Sequence, residues 1–233
     1  MTPEAFAVVE QRCGASRRQN DTFGSLLPAD RSDTRRVELA RAAIDLAQEH
    51  HSATVRLFLA REFGAAAALL RPILEAATTG DWLVYVASNE QVAALPMDAA
   101  DNPVVDVPPL GEMAKSLVPV FPPISMIVEG WKPGGAAKWL HKYAHGSVPQ
   151  LNRRGADGWS KDDVVLALIR ADTFATVACC LETVLAPNRP LAAYGFGRRD
   201  ALAQERFDLF GGVAVPPQPA MLPEAPLVLA ERM

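Results

Sequence analysis

Apolar residues recur every three or four positions along most of the chain, which is the spacing of a helix with one buried face. Between Thr34 and Arg61 this stripe consists of Val37, Ile44, Ala47, His51, Val55 and Phe58. A second long stripe follows Ser160 and continues to Leu185: Val164, Leu168, Ala171, Ala175, Ala178 and Leu185. We find no strand pattern of strict alternation. The pattern therefore predicts an all-α, up-and-down helical bundle of about five main helices.

Two further helices are predicted in the first third of the chain. Thr2 and Pro3 form a favourable helix start, and the first helix is expected to end near residue 18. Gly64 separates the Thr34–Arg61 helix from one over 65–88 that is apolar nearly all round, which is typical of a central helix. Pro72 is expected to kink this helix, because proline removes one backbone hydrogen bond; a fresh helix start at Pro72 is the alternative.

Prolines divide the remaining sequence. Residues 95–123 contain seven of them and predict an irregular connector with at most a short helix near 110–117. A helix over 135–145, capped by Gly146, and a loop over 147–158 follow. Residues 186–233 contain seven more prolines and one short predicted helix near 198–208. We therefore expect a helical domain over 1–185 and a Pro-rich C-terminal extension over 186–233, partly disordered or docked.

Composition excludes several classes of protein. The net charge of −4 argues against a protein that coats nucleic acid through bulk charge. The sequence shows neither a signal peptide nor an apolar run of the ~20 residues that span a bilayer. We therefore expect a soluble, cytoplasmic protein that does not associate with a membrane. Cys13, Cys179 and Cys180 include no CxxC pair, which argues against a disulfide framework and a zinc ribbon.

Arginine pairs at 17–18, 35–36, 153–154 and 198–199 allow two interpretations. They are either phosphate contacts or solvated arginines that reflect an Arg- and Ala-rich coding bias, and the second interpretation is favoured.

The residues most suited to a functional site lie on the helix predicted over 135–145. Its apolar side holds Ala136, Ala137, Trp139, Leu140, Tyr143 and Ala144, and its polar side holds Lys138, His141, Lys142 and His145. Three interpretations stay open: a solvated face, a phosphate site with a histidine as proton carrier, and a metal site. The lysines would repel a dication, so the metal site is the least favoured. His145 also lies at the helix C-terminus, where the dipole favours its protonated form.

Arg71 and Glu75 lie one turn apart on the apolar helix over 65–88, where neither charge should be buried alone. They form either an internal ion pair that also holds a neighbouring backbone, or a functional pair in which Arg71 binds phosphate and Glu75 orients a histidine. Asp81 and Trp82 follow and are expected to line the same cleft. His51 is expected to be a hydrogen-bonded core histidine, because it lies on the buried stripe of its own helix.

The segments EHHSATVRLFLAREFGAAAALLRPILEAATTGDWL and KWLHKYAHGSVPQLNRR resemble a group of uncharacterised bacterial all-helical proteins. That group is similar to the abortive-infection and HEPN-like families. The resemblance covers about residues 35–185, and its motifs are Arg71-Pro72-x-x-Glu75 and Tyr143-x-His145-Gly146. It implies a HEPN-like bundle that often dimerises and, in active members, metal-independent RNA cleavage by an arginine and a histidine on one helix. This chain departs from that pattern, because Lys138, Trp139 and Leu140 occupy the positions expected for the arginine.

Two functional hypotheses follow. In the first, the protein is a ribonuclease of stress or phage defence, without cofactor or metal. His145 is then the general base, His141 an auxiliary acid, and Arg71, Lys138 and Lys142 bind phosphate. Glu75 and Tyr143 complete this predicted site.

In the second hypothesis, the same cleft is a non-catalytic module that binds a nucleotide, a nucleic acid or a partner protein. The resemblance and the apolar tail (Leu222, Leu227, Val228 and Leu229) also predict a homodimer.

Overall fold

The computed structural model describes residues 1–27, 34–95, 106–125, 128, 136–146, 148–154, 158–186 and 188–211, with the backbone alone described at 123, 136–139 and 149. These residues form helices and no strands, as predicted. The helices are α1 (Pro3–Leu26), α2 (Arg35–Leu59), α3 (Phe63–Ala68), α4 (Leu70–Tyr85), α5 (Asn89–Ala94), α6 (Leu110–Leu117), α7 (Ala136–Ala144), α8 (Val148–Asn152), α9 (Lys161–Leu185) and α10 (Arg189–Phe210), with a 3₁₀ turn at Pro122–Ile124.

Helix α9 is the centre of the described bundle. It packs against α1, α2, α4 and α10, and its predicted stripe is buried apart from the half-buried Leu185. Ser160 caps its first turn by accepting a hydrogen bond from the Asp163 backbone N–H, as the sequence suggested. Among the described residues, α9 is the one helix long and apolar enough to cross a membrane, but 72% of its apolar window is buried inside the protein. That burial is typical of the core helix of a soluble protein.

The helix predicted over 65–88 is two helices in the structure. Helix α3 ends at Ala68 and α4 begins at Leu70, with Pro72 in the first turn of α4. Proline has no N–H to donate to the carbonyl of residue 68, and a first turn tolerates this loss. The prediction of one kinked helix was therefore wrong, and the alternative of a new start lies closer to the structure.

Other boundaries agree with the sequence to different extents. Helices α2, α6 and α7 were predicted nearly at their observed bounds, and Leu110, Met113 and Leu117 of α6 are fully buried. Helix α1 extends to Leu26, beyond the expected end near residue 18, because Phe23 is buried against α9 and α10 and gives the extra turns an apolar anchor. The short helices α5 and α8 were not predicted.

The sequence also underestimated the helix that follows α9. Instead of a short helix near 198–208, α10 has 22 residues, and Leu191 and Leu202 are buried. The close approach of α9 and α10 depends on Gly195, where a Cβ would lie 2.9 Å from Cys180 Sγ. Residues 212–233, with the apolar tail, lie outside the described residues, and the domain boundary at 185 stays a prediction.

Candidate functional site

Helix α7 lies against α3 and α4, and this contact positions the predicted site. Leu140 and Tyr143 of α7 are buried, whereas His141 and His145 are exposed, so the side chains described from 140 onward agree with the predicted faces. Gly146 ends the helix with φ = +62°, a conformation that glycine adopts without strain. His141 therefore projects from α7 beside the start of α4.

Arg71 joins the two helices. Its Nη1 donates to Nδ1 of His141, and its Nε lies 3.5 Å from Oε2 of Glu75. The ring of His145 packs edge-on to that of His141, with the centroids 4.4 Å apart. The structure thus places together the four residues that the sequence nominated as catalytic: Arg71, Glu75, His141 and His145. We call this group the Arg71–His141 surface.

The contacts of Arg71 show whether Arg71 or Glu75 orients His141. A guanidinium can only donate, so Nδ1 of His141 accepts and the proton of the neutral ring resides on Nε2. Among the described contacts it is therefore Arg71 that holds His141, while Glu75 holds Arg71. The expectation that Glu75 orients a histidine directly is not what the structure shows.

Tyr143 does not share this surface. It is 1% exposed and packs edge-on to Trp159, with ring centroids 5.6 Å apart. Burial raises the pKa of its phenol, partly offset by the charge of Arg153. Its assignment as a phosphate-binding residue is corrected for this reason: Tyr143 is on the apolar side of α7 and anchors the helix. Lys142 is exposed, and the side chain of Lys138 lies outside the described residues.

Asp81 and Trp82 do not extend the site either. Trp82 is buried in the cluster that includes Leu83 and Leu181. Burial raises the pKa of Asp81 to about 7, and this carboxyl acts electrostatically on Tyr85 and on Cys180 of α9. Trp82 thus belongs to the core and not to a cleft, and no described contact joins Asp81 to the Arg71–His141 surface. In the described part of the chain, no three His, Cys, Asp or Glu side chains are grouped to hold a metal.

Sequence reasoning missed a second polar group, which is centred on Asp172 of α9. This carboxylate is completely buried; its Oδ1 lies 2.7 Å from Nε2 of His51, and its Oδ2 lies 2.7 Å from Nη2 of Arg12. Arg198 of α10 adds a contact of 3.1 Å to the same Oδ2. His51 is thus a hydrogen-bonded core histidine, as predicted, but its partner was not foreseen.

Two more side chains complete this group, which we call the Asp172 network. Gln19 donates to the backbone carbonyl of Asp172 at 3.0 Å and accepts from Nε of Arg198 at 2.6 Å. Arg12 also contacts Glu205 of α10 at 2.7 Å. The network therefore joins α1, α2, α9 and α10.

The network keeps Asp172 ionised. Burial alone would raise the pKa of this carboxyl, but the hydrogen bond from His51 and the charge of Arg12 outweigh burial and hold the pKa below its usual range. A similar buried pair lies further along α9, where Nε of Arg41 donates to Glu182 at 3.0 Å. The available sequence signal was the presence of Asp172 and Glu182 inside an otherwise apolar helix, since such charges require buried partners.

The arginine pairs mostly have structural partners. Arg36 is buried and donates to the backbone carbonyls of Leu83 and Ala87, which it holds at the end of α4. Arg153 binds Asp163 at 2.6 Å, and Arg198 belongs to the Asp172 network. For these three pairs, the favoured interpretation of solvated arginines was wrong, because one member of each pair is engaged inside the protein.

Cys13, Cys179 and Cys180 are buried free thiols; the apolar stretch around Cys179 and Cys180 predicts this for those two, and Cys13 was not foreseen as a core residue. Burial raises the pKa of Cys13 to about 11 and that of Cys180 to about 12, so both stay protonated at neutral pH.

Comparison with known proteins gives one match. No curated protein and no solved structure matches the chain. A family of unknown function (DUF6988) matches residues 44–196, which include Arg71, Glu75, His141, His145, His51 and Asp172. Because the match covers more than half of the sequence, the chain belongs to the DUF6988 family.

Proposed function

We propose that the Arg71–His141 surface binds and cleaves RNA without a metal, in a HEPN-like protein of stress or phage defence. The observation that carries the proposal is the contact of Arg71 with His141, beside the ring of His145. A guanidinium and two imidazoles on one exposed surface are suited to phosphodiester chemistry, because they supply positive charge and proton transfer together.

The hydrogen bonds assign a role to each group. Arg71 occupies Nδ1 of His141, so the neutral ring has only its Nε2–H to offer. We therefore assign His141 to hydrogen bonding a phosphate oxygen, in place of the expected role of auxiliary acid. His145 is then the imidazole that accepts the proton of the 2′-hydroxyl. The 2′-oxygen attacks phosphorus, the bond from phosphorus to the 5′-oxygen breaks, and that oxygen takes a proton from a water molecule. The hydroxide left behind takes the proton held by His145, so the water and the imidazole both return to their starting states. The products are a 2′,3′-cyclic phosphate and a 5′-hydroxyl, and Arg71 stabilises the charge that develops on phosphorus-bound oxygens.

The second candidate function is a non-catalytic module that binds a nucleotide, a nucleic acid or a partner protein. One observation favours it: Glu75 and His141 already engage Arg71, and the contact with His141 fastens α7 to α4. In this alternative the surface retains affinity for phosphate or for an acidic partner but moves no proton.

A homodimer is part of the proposal. Its support is a set of large exposed apolar side chains at the end of α10: Phe207, Leu209 and Phe210. Such side chains favour an apolar partner surface when they are contiguous.

The test is cleavage of labelled single-stranded RNA by the full chain, with and without EDTA. We compare the wild type with His145→Ala and with Arg71→Gln, and use His50→Ala as the matched control, since His50 of α2 is not among the contacts of this surface. We expect cleavage that persists in EDTA, leaves cyclic phosphate ends, falls about 100-fold or more in His145→Ala, and is unchanged in His50→Ala.

Three outcomes would count against this function. RNA binding without cleavage by folded wild type would favour the non-catalytic module. Cleavage abolished by EDTA would assign the reaction to a metal site. Cleavage equal in wild type and His145→Ala would remove His145 from the mechanism.

A further inference from the structure

A cavity of about 240 Å³ lies between α1 and α2, and its residues differ from those of the Arg71–His141 surface. It is lined by Arg17, Asn20, Asp21, His51, Ser52, Val55 and Arg56. A single water needs only about 10–15 Å³ of such space, so the cavity has room for a much larger guest. His51 is its most deeply buried wall residue, with no exposed surface.

Two buried polar atoms at this cavity have no hydrogen-bond partner among the described residues. They are Nδ1 of His51 and the side-chain amide oxygen of Asn20. In the neutral His51 ring, Nε2 donates to the ionised Asp172, which leaves on Nδ1 a lone pair that requires a donor. A buried acceptor without a donor costs free energy, and a guest with an O–H group would supply the missing hydrogen bond.

The mouth of the cavity supplies hydrogen-bond donors, in contrast to the two buried acceptors inside it. Arg17 and Arg56 are exposed, and neither forms an ion pair or a hydrogen bond with another described side chain. Their guanidiniums are donors that suit an oxyanion. Asp21 contributes a carboxylate to the same wall, which disfavours a fully deprotonated anion and accepts from an O–H.

We propose that this cavity binds a protonated oxyanion, namely hydrogen phosphate or the monoanion of a small-molecule phosphate monoester. Arg17 and Arg56 contact the charged oxygens, and His51 Nδ1 accepts the O–H. Asp172 fixes the ring so that Nδ1 is the accepting atom. This site is separate from the proposed ribonuclease function, because the two share no residue.

Sulfate is the matched probe, since it has the shape of phosphate and the double charge of hydrogen phosphate but carries no proton at neutral pH. Titration calorimetry of the full chain with sodium phosphate and with sodium sulfate, at equal ionic strength, tests the site. We expect phosphate to bind about tenfold or more tightly than sulfate, because only phosphate donates to His51. A third titration with glycerol 3-phosphate distinguishes the source: tighter binding than phosphate indicates a monoester, and weaker binding indicates the free ion.

Variants at the exposed mouth avoid the risk of unfolding the core. Arg17→Ala and Arg56→Ala should each weaken phosphate binding about tenfold, whereas the control Arg18→Ala, an exposed neighbour that does not line the cavity, should not change it. Nitrogen NMR of the histidines should show the Nδ1 resonance of His51 moving on phosphate addition.

Several results would overturn the proposal. These are equal affinity for phosphate and sulfate, no binding by folded wild type, a stationary Nδ1 signal, or binding unaffected by both arginine variants. Loss of phosphate binding in Arg71→Gln would move the ion to the other surface and would also overturn it. RNA cleavage measured on the same Arg17→Ala and Arg56→Ala proteins keeps the two proposals distinguishable, because cleavage should be unchanged.

Discussion

Arginine, histidine and carboxylate meet at two places in this protein, with opposite exposure. At the Arg71–His141 surface, the side chain of Glu75 is 39% exposed and both imidazoles face solvent. In the Asp172 network, the carboxylate and the imidazole of His51 are both 0% exposed. The same chemical groups therefore operate in water at one place and in the core at the other.

The difference concerns what each group can do. In the core, every contact of Asp172 fixes the position of a helix, and losing one partner leaves a buried charge without compensation. At the surface, water screens the ion pair and can replace either partner, so the pair contributes little to stability but is accessible to a ligand. Stability is thus expected to depend on the Asp172 network, and RNA binding on the Arg71–His141 surface.

The largest expected effect is that of Asp172→Ala. This change leaves Arg12, His51 and Arg198 facing one another in the core, and we expect the free energy of unfolding to fall by about 3–5 kcal/mol. Urea denaturation followed by circular dichroism measures the loss. Asp162→Ala on the exposed first turn of α9 is the control and should change stability by less than about 0.5 kcal/mol. If Asp172→Ala lowered the free energy of unfolding by less than about 1 kcal/mol, the Asp172 network would contribute no more to stability than the exposed surface pair does.

Lowering the pH should also test how much the Asp172 network contributes to stability. The folded pKa of Asp172 is below its unfolded value of about 4, so its contribution to stability is present above pH ~4 and is lost as pH falls through the folded pKa. Asp163 behaves likewise, because the hydrogen bond from Arg153 lowers its pKa to about 2.

Urea midpoints at pH 7, 4, 3 and 2 measure this loss. Between pH 4 and 2 the midpoint should fall less steeply in Asp172→Asn than in wild type, because the variant has no such proton to take up. Equal slopes in the two proteins would contradict the assignment of a depressed pKa to Asp172.

The smallest effect is expected at the surface pair. A double-mutant cycle of Arg71→Gln and Glu75→Gln should give a coupling free energy of about 0.3–0.5 kcal/mol, the usual value for an exposed pair one turn apart. The same Arg71→Gln protein should lose RNA cleavage while remaining folded. A coupling above about 2 kcal/mol would mean that Arg71 and Glu75 are structural after all.

The sequence predicted most of the helices, because apolar periodicity reports directly on which face is buried. Val37 to Phe58 and Val164 to Ala178 were assigned to the core correctly for that reason. It also predicted the Arg71–His141 surface, since Arg71/Glu75 and His141/His145 each lie one turn apart. Local spacing is sufficient when the interacting residues belong to one or two helices.

The Asp172 network has no such local signal. Gln19 and Asp172 are separated by 153 positions, and Arg198 belongs to a stretch with many prolines nearby. Which arginine pairs with which carboxylate depends on how four helices are arranged, and periodicity carries no information about that arrangement. The break at Leu69 was missed for a different reason: a proline permits either a kink or a new start, and packing decides between them.

The long separation of these partners has a consequence during synthesis of the chain. Ribosomes add about 5–20 residues per second, so α1 and α2 leave the exit tunnel many seconds before Glu205 and Arg198 do. Until α10 emerges, Arg12 lacks Glu205 and Asp172 lacks one of its guanidiniums. The ion pairs of the Asp172 network are therefore complete only after nearly the entire described chain has been translated. A ribosome stalled before residue 198 would present a helical bundle in which these buried ion pairs are incomplete.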